Sequence, residues 1–269
     1  MPASDNEADV ILIFGGDGTV HRHLAALVKL RLPVLVVPAG SGNDFARALG
    51  LKSVRESLAA WSQFCNGRND LRQIDLGTIT ALSDESIRDS ELGTRYFGCV
   101  AGVGLDGEVA RRANRLPRWL RGHGGYALTA APTIFTFAPF PMKILTPSQP
   151  ESAAAWVSRS NQPTILAAFA NAPQYGGGMK IAPQAKMDDG LLDVCIVGAV
   201  DPFKLFCMFP TVYAGRHLGI KEVEYFYAAR ARVETEHPLD VYADGEYVCR
   251  TPVEIGVQPR ALKVVTLSS

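Results

Sequence analysis

Cysteine is sparse and scattered along this chain. The five residues, Cys65, Cys99, Cys195, Cys207 and Cys249, are odd in number and contain no Cys-x-x-Cys pair. That argues against a disulfide framework or a paired-thiol zinc site and fits a reducing compartment. A surplus of one charge is also missing, because Lys+Arg and Asp+Glu stand at 27 each. General nucleic-acid binding needs a large basic excess, so it is not expected. Long hydrophobic runs are absent too: the longest, near Thr129 to Phe140, is too short to cross a bilayer. Met1 to Asp9 is polar and acidic, unlike a secretory signal. The expectation is a cytoplasmic protein that meets a membrane, if at all, peripherally from the inner face. No internal repeat or low-complexity tract stands out.

What is present is a change of texture. Val10 to Phe14 is a continuous β-branched and aromatic run, predicting a strand buried on both faces. It enters Gly15-Gly-Asp-Gly-Thr19 and then a helix with Leu24, Leu27, Val28 and Leu30 as its apolar stripe. Pro33 to Val37 predicts a second buried strand, again followed by a glycine-rich turn and a helix from Asn43, with another helix near Val54 to Phe64. Alternating strands and helices predict a parallel, three-layer α/β unit. Beyond Asp75 come many short strand-like runs, interrupted by helices at Leu105 to Leu116 and Pro202 to Ala214. Pro147 to Gln162 is mostly polar and reads as a hairpin or loop. The fold class expected is α/β plus β: an α/β domain over residues 1–75, then a β-rich, sandwich-like domain over 76–257. The last strand, about 258–269, is expected to return to the first domain.

Glycines at 15, 16 and 18 between a strand and a helix let backbone amides approach an anion, and the helix start adds its positive end. Asp17 would repel a phosphate unless Mg2+ bridges them. The plainer alternative is a tight turn with Asp17 as helix cap. A second glycine-rich turn, Pro38-Ala-Gly-Ser-Gly-Asn-Asp-Phe-Ala-Arg47, follows the neighbouring strand, so the two loops would flank one crevice.

These two motifs together resemble the diacylglycerol kinase catalytic-domain family, which includes bacterial, sphingosine and ceramide kinases. Ile74-Asp75-Leu76-Gly77, Ala101-Gly-Val-Gly-Leu-Asp106, Tyr175-Gly-Gly-Gly-Met179 and Asp189-Gly-Leu-Leu-Asp193 agree with it, so the resemblance spans nearly the whole chain. It implies a nucleotide domain and a lipid domain with the active site between them. ATP and Mg2+ are the implied cofactors. By resemblance Gly15, Gly16, Asp17, Gly18 and Thr19 contact ATP phosphates, Asp17 acts on the accompanying Mg2+, Ser41 contacts nucleotide and Asn43 shapes the pocket. In Asp244-Gly-Glu246 the resemblance makes Glu246 the general base; by itself the motif is an ordinary hairpin turn with a solvated Glu. Asp189 matches a structural Mg2+ ligand, held with the backbone carbonyls of Lys186 and Leu191, against the alternative of a surface turn. Asp75, Asp106 and Asp244 are candidates for a catalytic or lipid-facing network.

Five arginines from Arg111 to Arg121 are interleaved with Leu116, Pro117, Trp119 and Leu120. Arg118, Trp119 and Arg121 are therefore candidate contacts to anionic lipid, the alternative being a solvated helix face. The function implied is an ATP-dependent lipid kinase acting on a diacylglycerol-like or sphingoid-like hydroxyl, in lipid metabolism. A kinase of soluble substrates of the NAD-kinase type and a non-catalytic binding fragment are the alternatives. The fragment reading arises because the family's usual strand, helix and Asn-Pro motif do not precede Val10, a start truncated relative to the family, which would leave a sheet edge open and makes a homodimer conceivable. His21-Arg22 also stands where the family usually has Asn-Glu.

Overall fold

The structure, a computed structural model, describes residues 8–67, 71–82, 94–116, 125–148 and 155–267, with backbone alone for 125–128. The chain runs β1 (Ile11–Gly15), α1 (Asp17–Leu30), β2 (Val34–Pro38), α2 (Asp44–Ala48), α3 (Val54–Cys65), β3 (Leu71–Ala81), β4 (Thr94–Phe97) and β5 (Val100–Gly104). It continues through α4 (Leu105–Ala113), α5 (Gly125–Thr136), β6 (Phe140–Pro147), β7 (Trp156–Ala170), β8 (Leu192–Gly198) and α6 (Pro202–Tyr213). A 3₁₀ turn, β9 (Val223–Ala228), β10 (Arg230–Thr235), β11 (Asp240–Ala243), β12 (Glu246–Arg250) and β13 (Val253–Val265) complete it.

β1 and β2 pair in parallel, as the strand–helix alternation requires. The rest of the sheet is antiparallel except where β13 meets β2 at Val264 and Val34. β13 is the joint between the halves, because it also runs along β3 and β10. Strands β7 and β13 each carry more than two neighbours along their length, so the sheet forks and two layers face one another.

Side chains at every second position fill the space between the layers: Met142 and Ile144, Ala167 and Phe169, Leu192, Val194 and Ile196, Val253 and Ile255. The period of two is that of a pleated strand with one face inward. The intervening residues of β7 and β8, among them Ala168, Ala170, Cys195 and Val197, join a second apolar cluster with the helices. Both faces of these central strands are therefore covered, which is why their sequences are nearly uninterrupted apolar runs.

One expectation is corrected. β1 is not buried on both faces: Ile13 is buried, but Leu12 is 41% and Phe14 66% exposed. The strand ends the sheet order and pairs only with β2 among the described residues, so half of its side chains lack cover. The hairpin expected around Pro147 to Gln162 is present: β6 and β7 pair antiparallel up to Pro147–Trp156, and from Trp156 onward the segment is strand. A helix that the sequence reading did not assign, α5, takes up the apolar run near Thr129 and contains Pro132.

Candidate active site

The phosphate loop is built by a strand that stops and a helix that starts within two residues. Gly16 is the N-cap of α1, and its carbonyl accepts from the Thr19 and Val20 amides. That leaves the earlier amides of the first turn directed outward, at the positive end of a 14-residue helix. The second loop approaches until the two are in backbone contact: a β-carbon built on Gly40 would lie 2.4 Å from Gly16 Cα. Asn43 shapes that loop, its side chain donating to the Gly40 carbonyl at 2.7 Å and accepting from the Gly40 amide at 2.9 Å.

Between the loops and the β-rich half lies a crevice of about 640 Å³. Gly16, Asp17, Gly18, Thr19 and Ser41 line it, as do Asp106, Asp244 and Gly245. Gly15 lies behind the lining, as the glycine that makes room for the Thr19 side chain. Glu246 projects over the phosphate loop from the far side, since a β-carbon on Gly18 would stand 3.1 Å from Glu246 Oε1. It is carried there by an Asp244–Gly245 turn with φ of 51° and 85°, the left-handed pair of a two-residue hairpin, and Ala243 pairs with Glu246 across it. The hairpin reading and the functional reading of Asp244-Gly-Glu246 thus describe one feature.

Asp244 anchors that turn. Its carboxylate accepts from the amides of Gly98 (2.7 Å), Cys99 (2.8 Å) and Val100 (3.2 Å). His21 Nδ1 lies 3.1 Å from its Oδ2. Burial opposes charging of His21, but the hydrogen bond and charge of Asp244, with Glu246 nearby, lift its imidazole above the ordinary value. Arg22, one position on and three residues after Thr19, lines the crevice with Arg47, whose guanidinium pairs with Asp44 at 3.4 Å, so two cationic residues border it.

Asp44 was not singled out by sequence, yet it is buried in the crevice wall and accepts from the Gly177 amide at 2.7 Å and from Gln174 and Arg47. Its position directly after Asn43 in the second glycine loop was the available signal. Asp17 accepts from the Phe45 amide at 2.9 Å. Burial first, and then the charge of Asp44, push the Asp17 carboxyl upward; burial does the same to Asp44. Asp17 Oδ2 and Asp44 Oδ2 lie 2.7 and 3.8 Å from one point, the β-carbon position on Gly42. Two hard, mutually repelling carboxylates beside a phosphate loop fit Mg2+.

Asp106 sits at a seam. It lines the crevice and also a separate apolar cavity of about 70 Å³ between α4, α5 and α6. Burial pushes its carboxyl up to about 7, against hydrogen bonds that include Tyr175, which lines both spaces as well.

Asp75 does not belong to this site. It is buried outside the crevice lining and accepts from the Gly190 and Arg260 amides, each at 2.7 Å, pinning two loops. Asp189 lies exposed on a turn and accepts from the Leu191 amide at 3.1 Å. No cluster of three or more His, Cys, Asp or Glu side chains suited to a metal occurs among the described residues. The carbonyls of Lys186 and Leu191 would have to supply the remaining ligands there. One local sign favours a cation: Asp193, raised to about 6 by burial and further by the Asp189 charge, has a buried Oδ2 with no hydrogen-bond partner among the described residues. Arg118, Trp119 and Arg121 lie outside the described residues.

Residues 2–79 match the diacylglycerol kinase catalytic domain, and residues 99–266 match the YegS C-terminal NAD kinase beta sandwich-like domain. A diacylglycerol kinase of Mycobacterium tuberculosis (strain ATCC 25618 / H37Rv) is 34% identical over 263 residues, covering 96% of this chain and 76% of that protein. A diacylglycerol kinase of Bacillus subtilis (strain 168) is 26% identical over 98% of this chain and 79% of that protein. Two solved structures from Bacillus anthracis str. Sterne, with TM-scores of 0.73 and 0.65, share the fold at 23% and 19% identity. Each spans 98% of this chain and 78% of its own.

Proposed function

The chain belongs to the diacylglycerol kinase catalytic-domain family, and on that footing we propose that it transfers the γ-phosphoryl group of ATP to a lipid hydroxyl. The observation that carries the proposal is the Glu246 carboxylate standing beside Gly18 of the phosphate loop, at the edge of the crevice that Asp244 and Gly245 line. An acceptor hydroxyl reaching that edge would meet the carboxylate as base and a phosphate held by the loop amides.

The amides at the start of α1, with Arg22 and Arg47, hold and orient the triphosphate. Mg2+, when bound beside Asp17 and Asp44, would neutralise charge on the phosphate oxygens. Glu246 accepts the hydroxyl proton as the oxygen attacks phosphorus in line. Asp244 does not touch the reaction; it holds the turn that aims Glu246. Asp106 and Tyr175, at the mouth of the small apolar cavity, are suited to bind a lipid head, with only the start of its chain reaching between α4, α5 and α6. The substrate class favoured is therefore a diacylglycerol-like or sphingoid-like alcohol.

The test uses labelled ATP, Mg2+ and mixed micelles containing a panel of such alcohols, with Glu246→Gln alongside. Label should pass into the organic phase with wild type and fall by about 10²–10⁴-fold with the variant, the range for loss of a general base. Label transferred only to water-soluble acceptors would refute the lipid assignment. Equal labelling by the two proteins would remove Glu246 as base.

A further inference from the structure

Helices α5 and α6 contain 24 residues between them and a single charge, Lys204. α6 turns Leu205, Met208, Phe209 and Val212 into the apolar cavity. Its opposite face is apolar too, carrying Phe203, Phe206, Cys207 and Tyr213 at the surface. Phe206 packs against Phe135 of α5 with the rings tilted by 39° and their centres 5.6 Å apart, so the two helices present one aromatic ridge. A helix apolar on every side belongs in a core or against a non-aqueous partner, and this one faces outward.

From this ridge we infer that the α5–α6 face seats the protein on a lipid bilayer, with the rings of Phe135, Phe203 and Phe206 in the interfacial layer. The inference rests on the lipid-kinase reading for its purpose, but not for its evidence. The area argues for a bilayer over a second copy. The three rings are 54%, 67% and 42% exposed, which at about 200 Å² per phenylalanine gives about 300 Å² of apolar surface. A stable protein interface needs about 800 Å² per partner. Shallow insertion in a membrane interface is achieved by a few aromatic side chains.

The cavity size gives the ridge its use. About 70 Å³ is small beside the 300–1,000 Å³ of pockets that enclose whole ligands. A long-chain lipid cannot be withdrawn into it entirely, so its tails must stay in the bilayer while the head reaches Asp106. The helices that wall the cavity are the ones that carry the ridge. Among the described residues, two charges at the margin are compensated. Lys204 pairs with Glu222, and Arg112, which reaches Thr136 of α5, pairs with Glu108. Neither of these two cations is left to draw the ridge to anionic headgroups, so its seating is assigned to the rings.

The test is cosedimentation of the full chain with vesicles of phosphatidylcholine alone and of phosphatidylcholine with phosphatidylglycerol. Phe203→Ser with Phe206→Ser should lower the bound fraction at least about tenfold on both, while circular dichroism stays unchanged. Independently, Phe203→Trp should retain binding, and its emission should shift to the blue when vesicles are added. Undiminished binding by the double variant, or no shift from the tryptophan, overturns the inference. So does gel filtration showing a wild-type dimer that the double variant abolishes, which would assign the ridge to a second copy. Vesicle binding needs no turnover, so an enzyme that binds through the ridge but labels no lipid would refute the function and leave this surface standing.

Discussion

Gly40→Ala probes whether the two glycine loops act as one phosphate cradle. The added β-carbon would lie 2.4 Å from Gly16 Cα and 2.9 Å from Gly16 N, both backbone atoms of the opposite loop. Carbon atoms settle at about 3.5–4.0 Å, so the loops must part by about 1 Å. Neither can yield by rotating a side chain. The amides and the Asp17 carboxylate move with their backbones, and misplacement of about 1 Å at a reacting centre costs about 10²-fold in rate. The expected loss is therefore about 100-fold in kcat/KM for ATP, or about 2.7 kcal/mol at 1.36 kcal/mol per tenfold. Gly40 is exposed, so the melting temperature should change little. Gly219→Ala serves as control, because a β-carbon there meets nothing within 4 Å. If Gly40→Ala keeps kcat/KM within about twofold of wild type, the two loops do not share a ligand and the cradle is wrong.

Two further outcomes follow from buried carboxylates. In the folded chain Asp106 holds its proton to about pH 7, whereas its unshifted value is 3.8. The native state therefore binds more protons across that window, and stability falls as pH rises from about 4 to about 7. Asp106→Asn should flatten this slope, with a gain of up to about 4 kcal/mol near pH 8 measured by urea denaturation; an unchanged slope would refute the buried, protonated state. Asp244→Ala leaves the amides of Gly98, Cys99 and Val100 without their acceptor and should cost about 3 kcal/mol in the same assay. Glu246→Gln, two residues away and exposed, should leave stability within about 0.5 kcal/mol.

Local chemistry made the first half legible. Two apolar runs, each ended by glycines and a helix, had to be neighbouring parallel strands with their loops at one end. The Asp-Gly pair marked a hairpin, and short strand-like runs marked the second half as β-rich. What escaped depends on contacts distant in sequence. Nothing local says that β1 ends the sheet, so Phe14 reads as core although it is exposed. Asp75 sits in a segment resembling a functional motif, but its partners, Gly190 and Arg260, lie 115 and 185 residues away. His21 and Asp244 meet across 223 residues. α5 lacks charged residues to reveal a helical face and contains Pro132, so its periodicity is hidden.

The site's buried acids divide by what satisfies them, and the division explains how a crevice between two halves holds its shape. Asp44 belongs to the second glycine loop, yet it captures the Gly177 amide of the β-rich half. Asp244 belongs to the β-rich half, yet it meets His21 of α1. Each side thus sends one carboxylate across. A buried carboxylate is tolerated only where several donors satisfy it, so each latch is stable only in the closed arrangement. That arrangement is also the one that puts Glu246 over Gly18. Disrupting either latch should therefore lower stability and activity together, whereas neutralising Glu246 should lower activity alone. A variant of Asp44 or Asp244 that unfolded more easily but turned over ATP at the wild-type rate would show that the latches and the catalytic geometry are separate.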